Sequence, residues 1–284
     1  MAVRGRRHGR AQDRQAAGGG TLTALDALSH AVGQALAAKP AGLLVVGLAG
    51  AQGSGKTTLA QALKARLDAD GTATALLSID DLYLTLAERT ALARKVHPLL
   101  QTRGVPGTHD VALGLAIIAA LERGEATSLP RFDKAADDRL PPDRWGNAPA
   151  DTRILILEGW CVGARPQEDG ALADPVNALE RDEDPRGIWR RFANNALAGD
   201  YQRLFARIDL LVLLAAPGFG TVLRWRTQQE HDLRRRGGKG RSVMSDVAIA
   251  RFVQHYERLT LHMLAEMPER ADIVICLAED RTIG

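Results

Sequence analysis

The stretch Gly50-Ala51-Gln52-Gly53-Ser54-Gly55-Lys56-Thr57 decides how this chain folds. It satisfies the spacing G-x-x-x-x-G-K-[ST] at every position, the pattern of a loop whose backbone N–H groups wrap a phosphate. Its flanks agree. Upstream, Leu43-Leu44-Val45-Val46-Gly47-Leu48 reads as a strand apolar on both faces, as a parallel sheet requires. Downstream, Leu59, Leu63 and Leu67 recur at i, i+4 and i+8, and Gly71 stands where a helix C-terminal glycine belongs. The glycines let N–H groups turn inward, and the helix N-terminus adds about half a positive charge. The expected ligand is a nucleoside triphosphate held by the quoted residues and Thr58. Lys56 would reach the β- and γ-phosphates, and Thr57 would offer its hydroxyl to Mg²⁺.

Working outward, strand-like and helix-like segments alternate. Residues 74–79, 154–157, 210–214 and 273–277 read as four more apolar strands, and 111–123 as a helix ended by Gly124. Before the first strand, Leu25, Leu28, Val32 and Leu36 form a helical stripe, with Thr23 and Asp26 spaced as a capping box. This alternation predicts an α/β three-layer sandwich of the P-loop NTPase type, with a five-stranded, mostly parallel sheet. Ligands of such sheets bind beyond the strand carboxyl ends. Residues 21–284 are expected to form one domain. Two proline-rich stretches, about 84–110 and 125–150, break the alternation and read as substrate-region insertions.

Composition narrows the class. Of 284 residues, 45% are hydrophobic and 25% charged, ordinary for a globular chain that can bury a large core. No apolar run reaches the roughly 18 residues of a membrane span, so no membrane partner is expected. The net charge of +3 is local: Arg4, Arg6, Arg7, Arg10 and Arg14 stand against Asp13 alone within residues 1–20. That stretch is expected to be a disordered basic tail, and the remainder is near neutral, so no nucleic-acid partner is expected. Only Cys161 and Cys276 are present, which argues against a disulfide framework and for a cytoplasmic setting.

Several residues carry candidate chemistry. Asp80 and Asp81 close the second strand at the phosphate-loop edge of the sheet. A carboxylate there could take a proton from an attacking alcohol, although Asp is also a favoured helix cap. Glu158 closes the third strand and is a candidate metal ligand together with Thr57. Arg131 and Lys134 could bind an anionic acceptor group, Arg through its bidentate fork and Lys as a point charge. His109 could reach the same pocket. Arg224, Arg226 and Arg234 fall in an arginine-rich run, about 220–246, that could close over a nucleotide as a lid.

Phrases beyond the phosphate loop carry a resemblance. Residues 47–58 (GLAGAQGSGKTT), 78–85 (SIDDLYLT), 103–110 (RGVPGTHD), 130–134 (PRFDK) and 157–160 (LEGW) occur in the order found in D-glycerate 3-kinase and its bacterial relatives. Residues 224–230 (RWRTQQE), Met244-Ser245-Asp246, Phe252-Val253 and Tyr256 resemble that family's C-terminal part. The wider relatives are uridine kinase, phosphoribulokinase and bacterial pantothenate kinase. The resemblance implies ATP- and Mg²⁺-dependent phosphorylation of a small hydroxylated acceptor. It implies that Asp80 is the general base acting with Lys56, and that Glu158 serves the metal. Asp81, Tyr83, His109, Arg131 and Lys134 would then face the acceptor. Two features depart from the plant-type pattern: Phe132 replaces a tyrosine, and Ala135-Ala136-Asp137-Asp138-Arg139 replaces a serine and a Gly-Arg-Gly-Asp-Arg segment. A kinase for another acceptor (uridine, pantothenate or a sugar phosphate) and a regulatory ATPase are the alternatives. No Asn-Lys-x-Asp guanine phrase favours a GTP switch.

Overall fold

The computed structural model describes residues 23–235 and 244–283. The basic tail expected at 1–20 and the glycine-rich end of the arginine run lie outside the described residues, as does the side chain of Arg234.

Helix α1 (Ala24–Ala38) opens the fold, and Thr23 and Asp26 form the expected reciprocal capping box. Strand β1 (Leu44–Gly50) leads into the phosphate loop and helix α2 (Lys56–Ala69). That helix ends in a Schellman motif: Gly71 N–H bonds Asp68 O at 3.0 Å and Thr72 N–H bonds Leu67 O at 2.9 Å. Gly71 sits at φ +81°, a conformation cheap only for glycine. Strand β2 (Thr74–Ser78) follows, then α3 (Leu86–Lys95) and α4 (Val111–Glu122). Two short antiparallel ribbons come next. Strand β3 (Thr127–Leu129) pairs with β6 (Gly146–Ala148), and inside it β4 (Phe132–Asp133) pairs with β5 (Asp138–Arg139). The chain continues through β7 (Ile154–Gly159), α5 (Ala178–Glu183), α6 (Ile188–Ala196), α7 (Gln202–Phe205) and β8 (Leu210–Ala215). It closes with α8 (Phe219–Arg235), α9 (Asp246–Glu266) and β9 (Ile273–Cys276).

The main sheet has the order β2-β7-β1-β8-β9, and every pairing in it is parallel. Alternation along each strand feeds two apolar layers. Leu44, Val46 and Leu48 of β1 pack with α1 and α2, whereas Val45 and Ala49 pack with α4 and the 197–205 segment. The three-layer sandwich is therefore as expected. The sheet sets β1 between β7 and β8, so the phosphate loop stands beside the carboxyl ends of β7 and, one strand further, β2.

The two irregular stretches contain more structure than their prolines suggest. The first holds α3, and the second folds into the two ribbons. Residues 160–209, which carry no strand-like apolar run, hold α5, α6 and α7. Two buried ion pairs fix this region: Arg190 with Asp184 at 3.1 Å, and Arg258 of α9 with Glu180 at 2.6 Å. Among the described residues, no helix is long and apolar enough to cross a membrane.

Candidate active site

The phosphate loop turns on two left-handed glycines, Gly53 at φ +80° and Gly55 at φ +86°. A Cβ on Gly53 would lie 2.6 Å from the Cβ of Trp225, so the loop is seated directly against α8. Gln52 Oε1 and Ser54 Oγ are buried in the loop without hydrogen-bond partners among the described residues. Buried polar atoms of this kind suit a polar ligand, because leaving them unpaired is costly.

Glu158 is the penultimate residue of β7, paired with Leu48 of β1 and Ser78 of β2. It is 2% exposed, and its Oε1 accepts the Thr57 hydroxyl at 3.1 Å. Its Oε2 is buried and unpartnered. A carboxylate oxygen left free beside a hydroxyl is a hard-oxygen donor set that fits Mg²⁺. Thr57 and Glu158 are the residues that would hold it.

Asp80 and Asp81 sit in a single 3₁₀ turn, Ile79–Leu82, capped by Ser78. Asp80 accepts from the Tyr83 hydroxyl at 2.8 Å and from Lys134 Nζ at 2.7 Å. Burial works against its charge. The nearby Lys134 and Lys56, with the hydrogen bonds from Lys134 and Tyr83, outweigh burial and hold its carboxyl well below the usual range. Asp81 behaves in the opposite way: burial raises it, despite bonds from the Phe132 N–H at 3.0 Å and Arg131 at 2.9 Å. Both predicted acceptor cations thus lie at the site, each paired with one of the two aspartates.

Aromatic rings wall this turn. Tyr83 stacks on His109 with centroids 4.6 Å apart and meets Phe132 edge-on at 5.2 Å. His109 Nδ1 lies 2.6 Å from the Tyr201 hydroxyl, which also accepts the Gly107 N–H at 2.9 Å. Burial pushes His109 down to about 4, so it is neutral at physiological pH. The 103–110 loop is held from behind: Trp160 Nε1 donates to Gly104 O at 3.0 Å, and Tyr256 to Arg103 O at 3.1 Å. A Cβ on Gly104, at φ +138°, would fall 2.1 Å from the Tyr256 hydroxyl.

The segment that departs from the plant-type pattern has a visible structural role. Arg139 bonds the Tyr83 carbonyl at 2.9 Å and Asp110 at 3.2 Å, and Asp138 accepts the Leu86 N–H at 3.0 Å. Arg103 pairs with Asp137, and Arg89, fully buried, pairs with the same carboxylate at 3.1 Å. These ties dock the β4–β5 ribbon on the aspartate turn, which sets Lys134 against Asp80.

Two of the three arginines expected in a lid, Arg224 and Arg226, are engaged elsewhere. Arg224 pairs with Glu279 at 2.6 Å. Arg226 pairs with buried Glu230 at 2.8 Å and lies over Phe252 at 5.8 Å. Helix α8 flanks the phosphate loop through Trp225. Two functional candidates escape sequence reading, Tyr201 and Arg281, because neither lies in a motif.

A parallel sheet with a phosphate loop on its central strand, an acid on the next strand and an aspartate beyond it defines a P-loop kinase. The sequence model of the phosphoribulokinase / uridine kinase family matches residues 45–164. An uncharacterized kinase of Schizosaccharomyces pombe is 40% identical over 230 residues, covering 77% of this chain and 80% of its own length. The chloroplastic D-glycerate 3-kinase of Arabidopsis thaliana is 34% identical over 224 residues, 75% of this chain and 46% of that protein. A solved D-glycerate 3-kinase from Cryptococcus neoformans var. grubii superposes with a TM-score of 0.75 at 25% identity, covering 93% of this chain and 98% of the other. The chain belongs to the phosphoribulokinase/uridine kinase family of P-loop kinases.

Proposed function

We propose that this kinase transfers the γ-phosphoryl group of ATP to a hydroxyl of D-glycerate or a similar small polar acid. The observation that carries the reading is the convergence of Arg131 and Lys134 on the Asp80–Asp81 turn, beside Lys56. Likeness to the plant and fungal D-glycerate 3-kinases supports it. Lys56 and the inward N–H groups bind the β- and γ-phosphates, and Asp80 takes the acceptor's proton. Arg131 and Lys134 orient the acceptor's carboxylate, and the aromatic wall of Tyr83 and His109 excludes water. Bound by Thr57 and Glu158, Mg²⁺ supplies charge neutralisation at the phosphates. Phosphoryl transfer depends chiefly on positioning and electrostatics, so no covalent intermediate is needed. Helix α8, with Arg224, Arg226 and Arg234, would close over the nucleotide.

The test is ADP release with Mg·ATP against D-glycerate, uridine, pantothenate and ribulose 5-phosphate. Stimulation by D-glycerate alone is the expected result. Stimulation by one of the others, or by none, would retire the glycerate assignment.

A further inference from the structure

Both cations assigned to the acceptor are already occupied, and one of them occupies the base itself. Lys134 Nζ donates to Asp80 Oδ2 at 2.7 Å, while the Tyr83 hydroxyl covers Oδ1 at 2.8 Å. Each carboxylate oxygen of Asp80 therefore already accepts one hydrogen bond, and the ammonium at Oδ2 weakens that oxygen as a proton acceptor. The contact is nonetheless reachable, because the Lys134 side chain is 60% exposed and that of Asp80 is 27% exposed. The ribbon that carries Lys134 is anchored at its other end by Arg139 and Asp138. Exchange of one lysine partner therefore requires no movement of the ribbon.

We infer that the Lys134–Asp80 pair is a charge lock opened by an anionic acceptor, which makes Lys134 the residue that selects acids over neutral alcohols. The inference rests on the reading of Asp80 as base. An acceptor carboxylate offers Lys134 a second anion, and the exchange frees Asp80 Oδ2. The acceptor hydroxyl oxygen then bonds to the γ-phosphorus as its proton passes to Asp80. The bond from that phosphorus to the β,γ-bridging oxygen breaks, and ADP leaves with the electron pair. Water and neutral alcohols leave Lys134 in place, and its ammonium keeps Oδ2 a weak base. The lock thus suppresses wasteful ATP hydrolysis as well as setting specificity. A charge-assisted hydrogen bond of this type corresponds to a factor on the order of tenfold or more.

The test compares wild type, Lys134→Ala and Lys134→Arg, with D-glycerate and its amide, glyceramide, as acceptors. Lys134→Ala should hydrolyse ATP without any acceptor about tenfold faster than wild type, and should lose its preference for the acid. Lys134→Arg should restore both properties. Acceptor-free hydrolysis equal to or below wild type in Lys134→Ala would overturn the lock and leave Lys134 a simple anchor. Calorimetry without nucleotide gives a second readout. Asp80→Asn should tighten glycerate binding in the wild-type background and not in Lys134→Ala, a coupling that repulsion alone would not produce. A gain that persists in Lys134→Ala counts against the lock. Wild type that phosphorylates neither compound would refute the glycerate reading, while acceptor-free hydrolysis still judges the lock independently.

Discussion

Arg281 donates from Nε to the carbonyl oxygen of Gly53 at 2.6 Å, joining the last turn of the chain to the phosphate loop. The same guanidinium lies over Trp225 at 5.4 Å and bonds Gln228 at 3.0 Å. Arg281 adopts φ +70°, which is unfavourable for a residue with a side chain. A phosphate cradle requires its carbonyls to point away from the anion, and Arg281 holds one of them outward.

The first prediction follows from that tie. Arg281→Gly fits the left-handed backbone, so the fold should survive while the guanidinium is lost. Steady-state kinetics should show KM for ATP raised about tenfold, the value of one charge-assisted bond, with kcat within about twofold. A change in kcat with KM intact would show that Arg281 acts on chemistry rather than on loop geometry.

Asp80→Asn keeps the shape of the turn and removes the proton acceptor. Acceptor phosphorylation should fall by about 10²–10⁴-fold while ATP binding, measured by fluorescence of a nucleotide analogue, is retained. Near-normal turnover would move the base to Asp81, which accepts from Arg131 only 50 residues along the chain.

Glu158→Gln keeps the Thr57 hydrogen bond and removes the charge of the unpartnered Oε2. The Mg²⁺ concentration for half-maximal activity should rise about tenfold or more, and excess chelator should abolish activity in both proteins. An unchanged Mg²⁺ titration would show that the carboxylate serves the turn rather than the metal.

The sheet and the phosphate loop were legible because their signals are local. Unbroken apolar runs and fixed glycine spacing need no knowledge of distant residues, and β1, β2, β7, β8 and β9 fall within two residues of the expected strands. Asp80 and Glu158 were legible for a related reason: each follows directly on such a run. The partners of these residues were not. Lys134 reaches Asp80 across 54 residues, Tyr201 reaches His109 across 92 and Arg281 reaches Gly53 across 228. Such pairings depend on how the ribbons and the C-terminal turn dock, which no periodicity encodes. The segment 160–209 escaped reading because its helices are short and buried ion pairs, as well as apolar contacts, anchor it.

The last prediction concerns pH. Burial pushes His109 and His255 down to about 4, from an ordinary value near 6.5. Above pH 6.5 both are neutral in folded and unfolded chains alike, and they have no effect on stability. As pH falls below 6.5 the unfolded chain takes up protons that the folded one refuses. Stability should therefore decline from about pH 6.5 and level off, for these two groups, below about pH 4. A shift of this size corresponds to roughly 3 kcal/mol for each histidine. His255 makes the cleaner test, because it lies on α9 away from the aspartate turn, with its Nδ1 3.1 Å from the Phe252 carbonyl. Urea midpoints measured from pH 7.5 to 4 should fall less steeply in His255→Asn than in wild type. Parallel curves would mean that His255 already takes up a proton in the folded state, and the acid sensitivity would then lie with His109 and the carboxylates.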